Sequence, residues 1–281
     1  MKSLYIMIER YIFITVVTVT KKENVMGRII AIANQKGGVG KTTTAINLAA
    51  ALAAKDKKVL AVDMDSQGNL TSGFGVDKDN LDYTIYETLM GECNIGQSMI
   101  VNVVPNLNII PSSQNLAGAE VDFIDKDKPQ FILKNIIHKI RKNFDFIIID
   151  CPPALGMLTI NSMTAADTVI VPIQCEFYAL EGLSQLIYTI NMIKKKLNKN
   201  LEIEGVVFTM YDSRNNLSEE VVQNVRENLD EIIYNTVVPR NVRLAEAPSF
   251  GLPINLYDPR STGAEAYRNL ADEVIKNKLF Q

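Results

Sequence analysis

Short apolar runs alternate along the chain with longer stretches in which apolar residues recur at helical spacing. The apolar runs predict strands at residues 29–33, 58–63, 107–111, 146–150, 168–172, 203–209 and 236–238. The helical spacing predicts helices at residues 44–54, 131–140, 180–197, 218–229 and 264–280. Strands that are apolar on both faces are typical of sheets covered by helices. We therefore predict an α/β fold with a doubly wound, mostly parallel sheet and helices on both faces.

The loop between the first predicted strand and the first predicted helix carries the clearest chemical signal. Residues 36–43 read KGGVGKTT. Backbone N–H groups of such a loop form a concave anion site, and the helix N-terminus adds positive charge. The residues predicted to bind nucleotide phosphates are Lys36, Gly37, Gly38, Val39, Gly40, Lys41, Thr42 and Thr43. Within this set, we expect Lys41 to neutralise the β- and γ-phosphates and the Thr42 hydroxyl to bind Mg²⁺.

This loop departs from the common pattern G-x-x-x-x-G-K-[ST]. Gln35 stands where that pattern has its first glycine, and Lys36 adds a second lysine to the loop. One interpretation is that Lys36 neutralises the same triphosphate as Lys41. The other is that Lys36 reaches a nucleotide on a partner subunit, in trans, as an arginine finger does.

Acidic residues follow two of the predicted strands. Asp150 ends strand 146–150 and is our candidate for the Walker B acid that holds Mg²⁺. Asp63 and Asp65, one residue apart, should point to opposite faces if the strand continues. We predict that Asp65 orients the attacking water and contributes to the metal site, so that Lys36, Lys41 and Asp65 are the catalytic candidates. The alternative is that both acids only cap the strand end.

Composition limits the class of protein. The chain has 281 residues, 47% of them apolar, and a formal net charge of −3. No repeat or linker divides it, so we predict a single domain at residues 26–281. The charge argues against a surface that is basic throughout but allows a local basic patch. The three cysteines are far apart and form no C-x-x-C pair, which favours buried thiols in a reducing cytoplasm.

Residues 1–25 do not continue this pattern. Their uninterrupted apolar run, 11–19, is too short to span a bilayer. Met26-Gly27-Arg28 opens the first predicted strand as a natural start would. We interpret residues 1–25 as an N-terminal extension from a start assigned too far upstream. A genuine tail or membrane anchor is the alternative.

Several strings together resemble the ParA/Soj family of partitioning ATPases, from Met26 to about residue 275. They are KGGVGKTT at 36–43, DMDSQGN at 63–69, IIIDCPP at 147–153, VPRNVRLAEAPSFG at 238–251 and YDPRSTGAEAY at 257–267. The two-lysine loop, a deviant Walker A motif, also occurs in MinD-like and nitrogenase-iron-protein-like ATPases. The last two strings point to ParA/Soj itself. Ser66 departs from the family pattern, which usually has proline there, and we expect only a mild loosening of the loop.

The resemblance implies roles for individual residues. Lys36 matches the lysine that crosses a dimer interface to the partner's phosphates, and Asp65 matches the acid needed for hydrolysis. Pro239 and Asn241 resemble the segment that borders the adenine. Arg214 and Arg243 match arginines that bind DNA non-specifically in the ATP-bound dimer. From the residues alone, scattered basic side chains without a helix-turn-helix or zinc motif argue against sequence-specific DNA readout.

The family therefore implies a function. Mg-ATP would drive homodimerisation and non-specific binding of double-stranded DNA, and slow hydrolysis, stimulated by a ParB-like partner, would release the DNA. The protein would be cytoplasmic and nucleoid-associated, and would partition chromosome or plasmid DNA. A MinD-like ATPase that acts at a membrane surface is the alternative. We expect no membrane binding, because the apolar face of the C-terminal helix suits core packing. An iron-protein-like electron-transfer ATPase is disfavoured by the cysteines. His138, the only histidine, is predicted to be exposed on a basic helix.

Overall fold

The computed structural model describes residues 26–176, 179–229 and 232–277. The predicted extension, residues 1–25, and the end of the predicted C-terminal helix lie outside the described residues. Eight strands form one sheet in the order β3-β4-β2-β5-β1-β6-β7-β8. The strands are β1 Arg28–Ile32, β2 Val59–Asp63, β3 Ile100–Val104, β4 Leu107–Ile110, β5 Phe146–Asp150, β6 Thr168–Gln174, β7 Glu202–Tyr211 and β8 Ile233–Pro239.

Every pairing in the sheet is parallel except the one between β3 and β4. The α/β class with a mostly parallel sheet is therefore confirmed. Strand β3 was missed by the sequence analysis. It is an edge strand whose residues are mostly half-buried or exposed without alternation, and Asn102 within it has a φ of 55°, which breaks the regular pattern.

Twelve α-helices lie among the described residues. They are α1 Lys41–Ala53, α2 Asn69–Gly73, α3 Ile85–Met90, α4 Ile95–Ser98, α5 Ala119–Asp122, α6 Ile132–Ile137, α7 Met157–Ala165, α8 Ala179–Lys196, α9 Asn216–Asn228, α10 Val242–Glu246, α11 Ile254–Tyr257 and α12 Thr262–Lys276. Short 3₁₀ helices lie at Lys78–Asn80, Gln114–Gly118, Pro129–Phe131, Arg141–Asn143 and Ala247–Phe250. The predicted helix 131–140 is thus α-helical only in its middle, with 3₁₀ turns before and after it.

Helices cover both faces of the sheet. Side chains of α1 and α12 form one core with Ile30, Ile148 and Ile170 of the central strands, whereas α6 to α9 pack on the other face. Strands buried on both sides explain why their sequences are continuously apolar.

The C-terminal helix α12 confirms the expectation of core packing. Tyr267, Leu270, Ala271 and Val274 are at most 1% exposed, and the helix contacts α1 and β8. Its apolar face is therefore occupied by the protein itself. Among the residues that the structure describes, no helix combines the length and apolar character that crossing a membrane requires.

Candidate nucleotide-binding site

The loop between β1 and α1 has the backbone that a phosphate-binding loop requires. Gly38 and Gly40 have φ values of 76° and 85°, in the left-handed region that a side chain disfavours. Gly40 is the N-cap of α1, and its carbonyl accepts the first helical hydrogen bond, 2.9 Å from the amide of Thr44. The free N–H groups of the first turn therefore point out of the helix beside Lys41 and Thr42.

Two buried polar side chains anchor this loop to the sheet. Asn34 donates from Nδ2 to the carbonyl of Pro172 at 2.7 Å, and its Oδ1 accepts from the amide of Lys36 at 3.0 Å. The hydroxyl of Thr209 lies 2.8 Å from the Val39 carbonyl and 3.0 Å from that of Ile173. Sequence analysis missed both residues. Their only local signal is a polar side chain at a strand end, next to a motif that must be held rigid.

Lys41 lies almost wholly inside the site. It is 7% exposed, and its Nζ donates to the Lys36 carbonyl at 3.2 Å. Burial lowers the pKa of Lys41, whereas the nearby carboxylates of Asp150 and Asp65 act in the opposite direction. This position is compatible with the predicted contact between the Lys41 ammonium and the phosphates, which stays a prediction.

Asp150 is the acid with unused hydrogen-bonding capacity. It ends β5, in register with Ile32 of β1 and Asp63 of β2, and is fully buried. Neither of its carboxylate oxygens accepts a hydrogen bond of ordinary geometry. Burial, followed by the charge of Asp63, raises its pKa well above the ordinary value, although the nearby Thr42 hydroxyl and the Lys41 ammonium oppose the shift. A buried carboxylate without a partner beside the phosphate loop fits a ligand of Mg²⁺, directly or through water.

A metal ion at this site would have few protein ligands. Within the described residues, no group of three or more His, Cys, Asp or Glu side chains is arranged to hold a metal ion. Mg²⁺ usually binds through one or two protein carboxylates and takes its remaining ligands from water and phosphate. The predicted set of Thr42, Asp65 and Asp150 is compatible with that mode, and the assignment stays a prediction.

The two acids after β2 differ in what they contact. Asp63 is fully buried, and its Oδ2 accepts from the amide and the hydroxyl of Thr71 at 2.8 and 2.6 Å. Its Oδ1 accepts from the amide of Asp65 at 3.2 Å. Burial raises the pKa of Asp63 to about 6. Both of its oxygens are thus committed to shaping the loop, which leaves Asp65 as the acid available for chemistry.

Asp65 lies at the start of a tight turn. It is 8% exposed, its Oδ1 accepts from the amide of Gln67 at 3.0 Å, and its carbonyl accepts from the amide of Gly68 at 2.9 Å. Its contribution to water orientation stays a prediction.

Lys36 pairs with a residue outside the loop. Its ammonium forms an ion pair with the carboxylate of Glu176, in the segment after β6, and the two side chains are 49% and 45% exposed. This pair was not expected from sequence. Both interpretations of Lys36, action on the nucleotide of its own chain and action in trans, stay predictions.

A cavity of about 380 Å³ opens beside the loop. Gly40 and Thr43 line one side, and Pro239, Asn241 and Tyr267 line the other. Its volume is within the range of small-molecule sites. The Asn241 side chain is already engaged, because its Nδ2 donates to the Thr262 hydroxyl at 2.9 Å and its Oδ1 caps α10. Because the Nδ2 group keeps a second hydrogen, a contact with a base can come from that hydrogen or from the backbone.

The two predicted DNA-binding arginines follow neighbouring strands, β7 and β8. Arg214 donates to both carboxylate oxygens of Asp212, at 2.9 and 2.7 Å, while its side chain remains 87% exposed. Arg243 pairs with Glu246 at 2.8 Å and lies 3.7 Å from Asp258. Acids thus pair with both guanidinium groups in a single copy.

The structure also tests the expectations for the histidine and the cysteines. His138 is half-buried rather than exposed: its Nε2 lies 3.2 Å from the Ala165 carbonyl, and burial lowers its pKa. The exposed-filler expectation was wrong because the helix ends at Ile137 and the chain turns inward. The cysteines are free thiols, of which Cys151 and Cys175 are buried and Cys93 is partly exposed.

A glycine loop after β1, with a buried acid at the end of the adjacent strand, is the arrangement of a P-loop ATPase. Residues 27–203 match the AAA domain family. The chain is 52% identical over 252 residues to the sporulation initiation inhibitor protein Soj of Bacillus subtilis, covering 90% of this chain and 100% of Soj. It is 50% identical over 251 residues to the chromosome partitioning protein ParA of Myxococcus xanthus, covering 89% of each chain.

Among solved structures, a similar one is cobyrinic acid a,c-diamide synthase from Mycobacterium smegmatis with bound ADP and magnesium. The TM-score is 0.79 at 36% identity, over 89% of this chain and 95% of that one. The chain belongs to the ParA/Soj family of ATPases.

The different contacts of Asp63 and Asp65 lead to a stability prediction. Asn offers one acceptor oxygen, so Asp63→Asn leaves at least one of the donors on Thr71 and Asp65 facing an NH₂ group. We expect it to lower the free energy of unfolding by about 1–3 kcal/mol relative to Asp65→Asn, which removes the same charge. Urea titration of the two variants without nucleotide is the measurement. Equal stability of the two would contradict the structural role of Asp63.

Proposed function

We propose that this protein is a Mg-ATP-dependent DNA-partitioning ATPase. The observation that carries the proposal is the buried, unpartnered Asp150 carboxylate beside Lys41 and the phosphate loop. The 52% identity to Soj over nearly all of the described chain supports the partitioning role. The cargo is chromosome or plasmid DNA, and the protein works in the cytoplasm, associated with the nucleoid.

Different residues bind the phosphates, the base and ribose, and the metal ion. The loop 37–43 binds the phosphates through its N–H groups and Lys41, and the cavity bordered by Pro239 holds the base and ribose. Thr42 and Asp150, with Asp65, hold Mg²⁺, which neutralises charge that develops on the transferred phosphoryl group. Asp65 orients the attacking water. With His138 remote from this loop and bound to Ala165, no histidine base takes part, and hydrolysis by the protein alone is slow.

Lys36 completes the site of a second copy. To reach the partner's phosphates it must leave Glu176, and exposed ion pairs of this kind contribute only about 0–1 kcal/mol. A triphosphate on the partner offers more negative charge than one carboxylate, so the exchange favours the ATP-bound homodimer. A ParB-like protein then accelerates hydrolysis and resets the cycle.

Dimerisation also explains how an acidic chain binds DNA. Arg214 and Arg243 follow adjacent strands, and each is compensated by an acid in a single copy. Two such surfaces brought together by ATP give a patch that contacts phosphates on double-stranded DNA. Phosphate contacts carry no base information, so binding is non-specific. The buried apolar face of α12 supports DNA rather than a membrane surface as the partner.

The first prediction concerns nucleotide affinity. Lys41→Ala removes the buried ammonium from the phosphate loop, and we expect loss of measurable ATP binding in calorimetry. The thermal melting curve of the variant without nucleotide is the control for folding. Wild-type ATP affinity in the variant would overturn the P-loop assignment.

The second prediction tests the whole proposal. DNA affinity should require ATP, should show little preference among duplex sequences, and should fall steeply with salt because each phosphate contact releases counterions. Arg243→Ala should weaken binding to all sequences alike and flatten the salt slope by about one unit, with ATP binding intact. Filter binding in a salt series with ATP, ADP or no nucleotide is the measurement.

Lys142→Ala is the matched control for that experiment. It removes the same charge from an exposed position before β5, at the opposite end of the strands, and should leave DNA affinity unchanged. Equal DNA affinity with ATP, with ADP and without nucleotide would refute the dependence of DNA binding on ATP. Strong preference for one duplex sequence would refute non-specific DNA binding.

The third prediction concerns release of Lys36. Glu176→Gln removes the competing carboxylate, so we expect the ATP-analogue-bound dimer to form at a protein concentration about two- to fivefold lower. Sedimentation velocity with a non-hydrolysable ATP analogue is the measurement. Glu202→Gln, which breaks the comparable surface pair with Lys194, is the control. Identical dimerisation of Glu176→Gln and wild type would show that the Lys36–Glu176 pair does not restrain Lys36.

A further inference from the structure

Residues 65–68, here named the Asp65 turn, are anchored at both ends: the Asp65 amide donates to Asp63 Oδ1 at 3.2 Å, and the Gly68 carbonyl accepts from the amide and the hydroxyl of Ser72, each at 3.0 Å. Between these ends, Ser66 is half-buried and Gln67 is exposed. The turn closes on itself through the Gly68 amide and the Asp65 carbonyl, and Gly68, with a φ of 62°, starts α2. The Gln67 amide donates to the Asp65 carboxylate at 3.0 Å. The direction of that carboxylate therefore depends on where the Gln67 backbone lies.

One side of the turn faces open space. A polar cavity of about 310 Å³ is lined by Ser66 and Gln67 from the turn and by Lys78, Ser113 and Gln114 from the opposite wall. Ser66 does not fix its own φ as a proline would. The middle of the turn therefore borders space that other residues do not fill.

The side chain of Lys78, in a neighbouring segment, contacts this turn. Its Nζ donates to the Gln67 carbonyl at 2.8 Å. Its stem covers the next residue closely: a Cβ built on Gly68 would lie 2.6 Å from Lys78 Cδ. The lysine therefore touches the turn twice, once by its charge and once by its aliphatic chain.

Lys78 is itself held in place by its own short helix. It begins the 3₁₀ helix Lys78–Asn80, which Asp77 caps by accepting from the amide of Asp79 at 3.1 Å and from the Asn80 side chain at 2.7 Å. The bond to Gln67 thus joins this short helix to the exposed middle of the turn, so it adds a restraint there to those at the two ends.

We propose that Lys78 is a positioning residue for ATP hydrolysis, which holds the Asp65 turn so that the Asp65 carboxylate keeps its direction towards the nucleotide. The inference rests on the proposed function of Asp65. Lys78 touches neither nucleotide nor metal in this scheme. It acts through Gln67, whose carbonyl it binds and whose amide binds Asp65. Small displacements of an orienting group reduce the rate of the chemical step much more than they reduce binding.

The test is Lys78→Met, which keeps most of the aliphatic stem and removes the ammonium. We expect kcat for ATP to fall about tenfold while KM changes less than twofold. Lys78→Arg, which retains a donor, should recover at least half of the rate. Asp65→Asn with Lys78→Met should be no slower than Asp65→Asn alone, because both act through the same carboxylate.

Lys126→Met is the matched control. Lys126 also donates to a backbone carbonyl, that of Met90, at 3.0 Å, but at the end of α3, away from the Asp65 turn. We expect its kcat to equal that of wild type. Amide hydrogen exchange without nucleotide adds a readout that does not need hydrolysis: residues 64–72 should exchange faster in Lys78→Met and unchanged in Lys126→Met.

Unchanged kcat in Lys78→Met, unchanged exchange at residues 64–72, or equal effects of the two methionine variants would each overturn the proposal. A loss of rate that Lys78→Arg does not recover, together with an equal loss in melting temperature, would show a purely structural role. If the wild-type protein does not hydrolyse ATP at all, the proposed function fails, whereas the exchange experiment still decides whether Lys78 restrains the turn.

Discussion

Three carboxylates and one ammonium share the buried carboxyl end of β2 and β5, and the rest of the site depends on this imbalance of charge. Burial makes each ionised group costly, which is why the pKa of Lys41 is lowered while those of Asp63 and Asp150 are raised. Hydrogen bonds from Thr71 and Asp65 relieve Asp63 only. Asp150 keeps two oxygens that no protein group satisfies. A divalent cation coordinated there, with an anionic ligand on Lys41, compensates both kinds of charge at once.

The phosphate loop owes its position to residues distant in sequence. Asn47 of α1 donates to the Thr43 carbonyl at 2.8 Å and accepts from the amide of Ile254 at 2.7 Å, so one side chain joins the loop helix to α11. The hydroxyl of Tyr267 in α12 lies 3.2 Å from that of Thr44. The two motif strings near the C-terminus therefore have a physical reason: Tyr267, which ends the second string, contacts α1, and residues of the first string line the cavity beside the loop.

Sequence analysis succeeded where one local pattern carries the information. Continuous apolar strands identified the parallel sheet, and the glycine loop identified the site, because both depend on neighbouring residues. Sequence analysis missed strand β3 because Asn102, in the middle of the strand, adopts a left-handed conformation. Asn34, Thr209, Glu176 and Lys78 escaped for a different reason. Their partners are brought close only by the folded sheet, as in the pairing of Lys36 with Glu176, 140 positions away. The preference for Asp65 over Asp63 agrees with their contacts, but only the structure shows what Asp63 does instead.

In the proposed cycle, two lysines at the rim of the site, the exposed Lys36 and the half-buried Lys78, have opposite requirements. Lys36 must leave Glu176 to act on a partner, so a weak, half-exposed ion pair is suitable: a strong one would hold the chain in its single-copy form. Lys78 must hold the Asp65 turn through hydrolysis, yet the turn must still respond when the γ-phosphate is lost. One hydrogen bond to a carbonyl, next to a cavity into which the turn can move, satisfies both conditions. The contacts of Lys36 and Lys78 are of modest strength, whereas the centre of the site is buried and highly charged. In the proposed cycle, this combination allows the protein to bind nucleotide tightly and still change conformation.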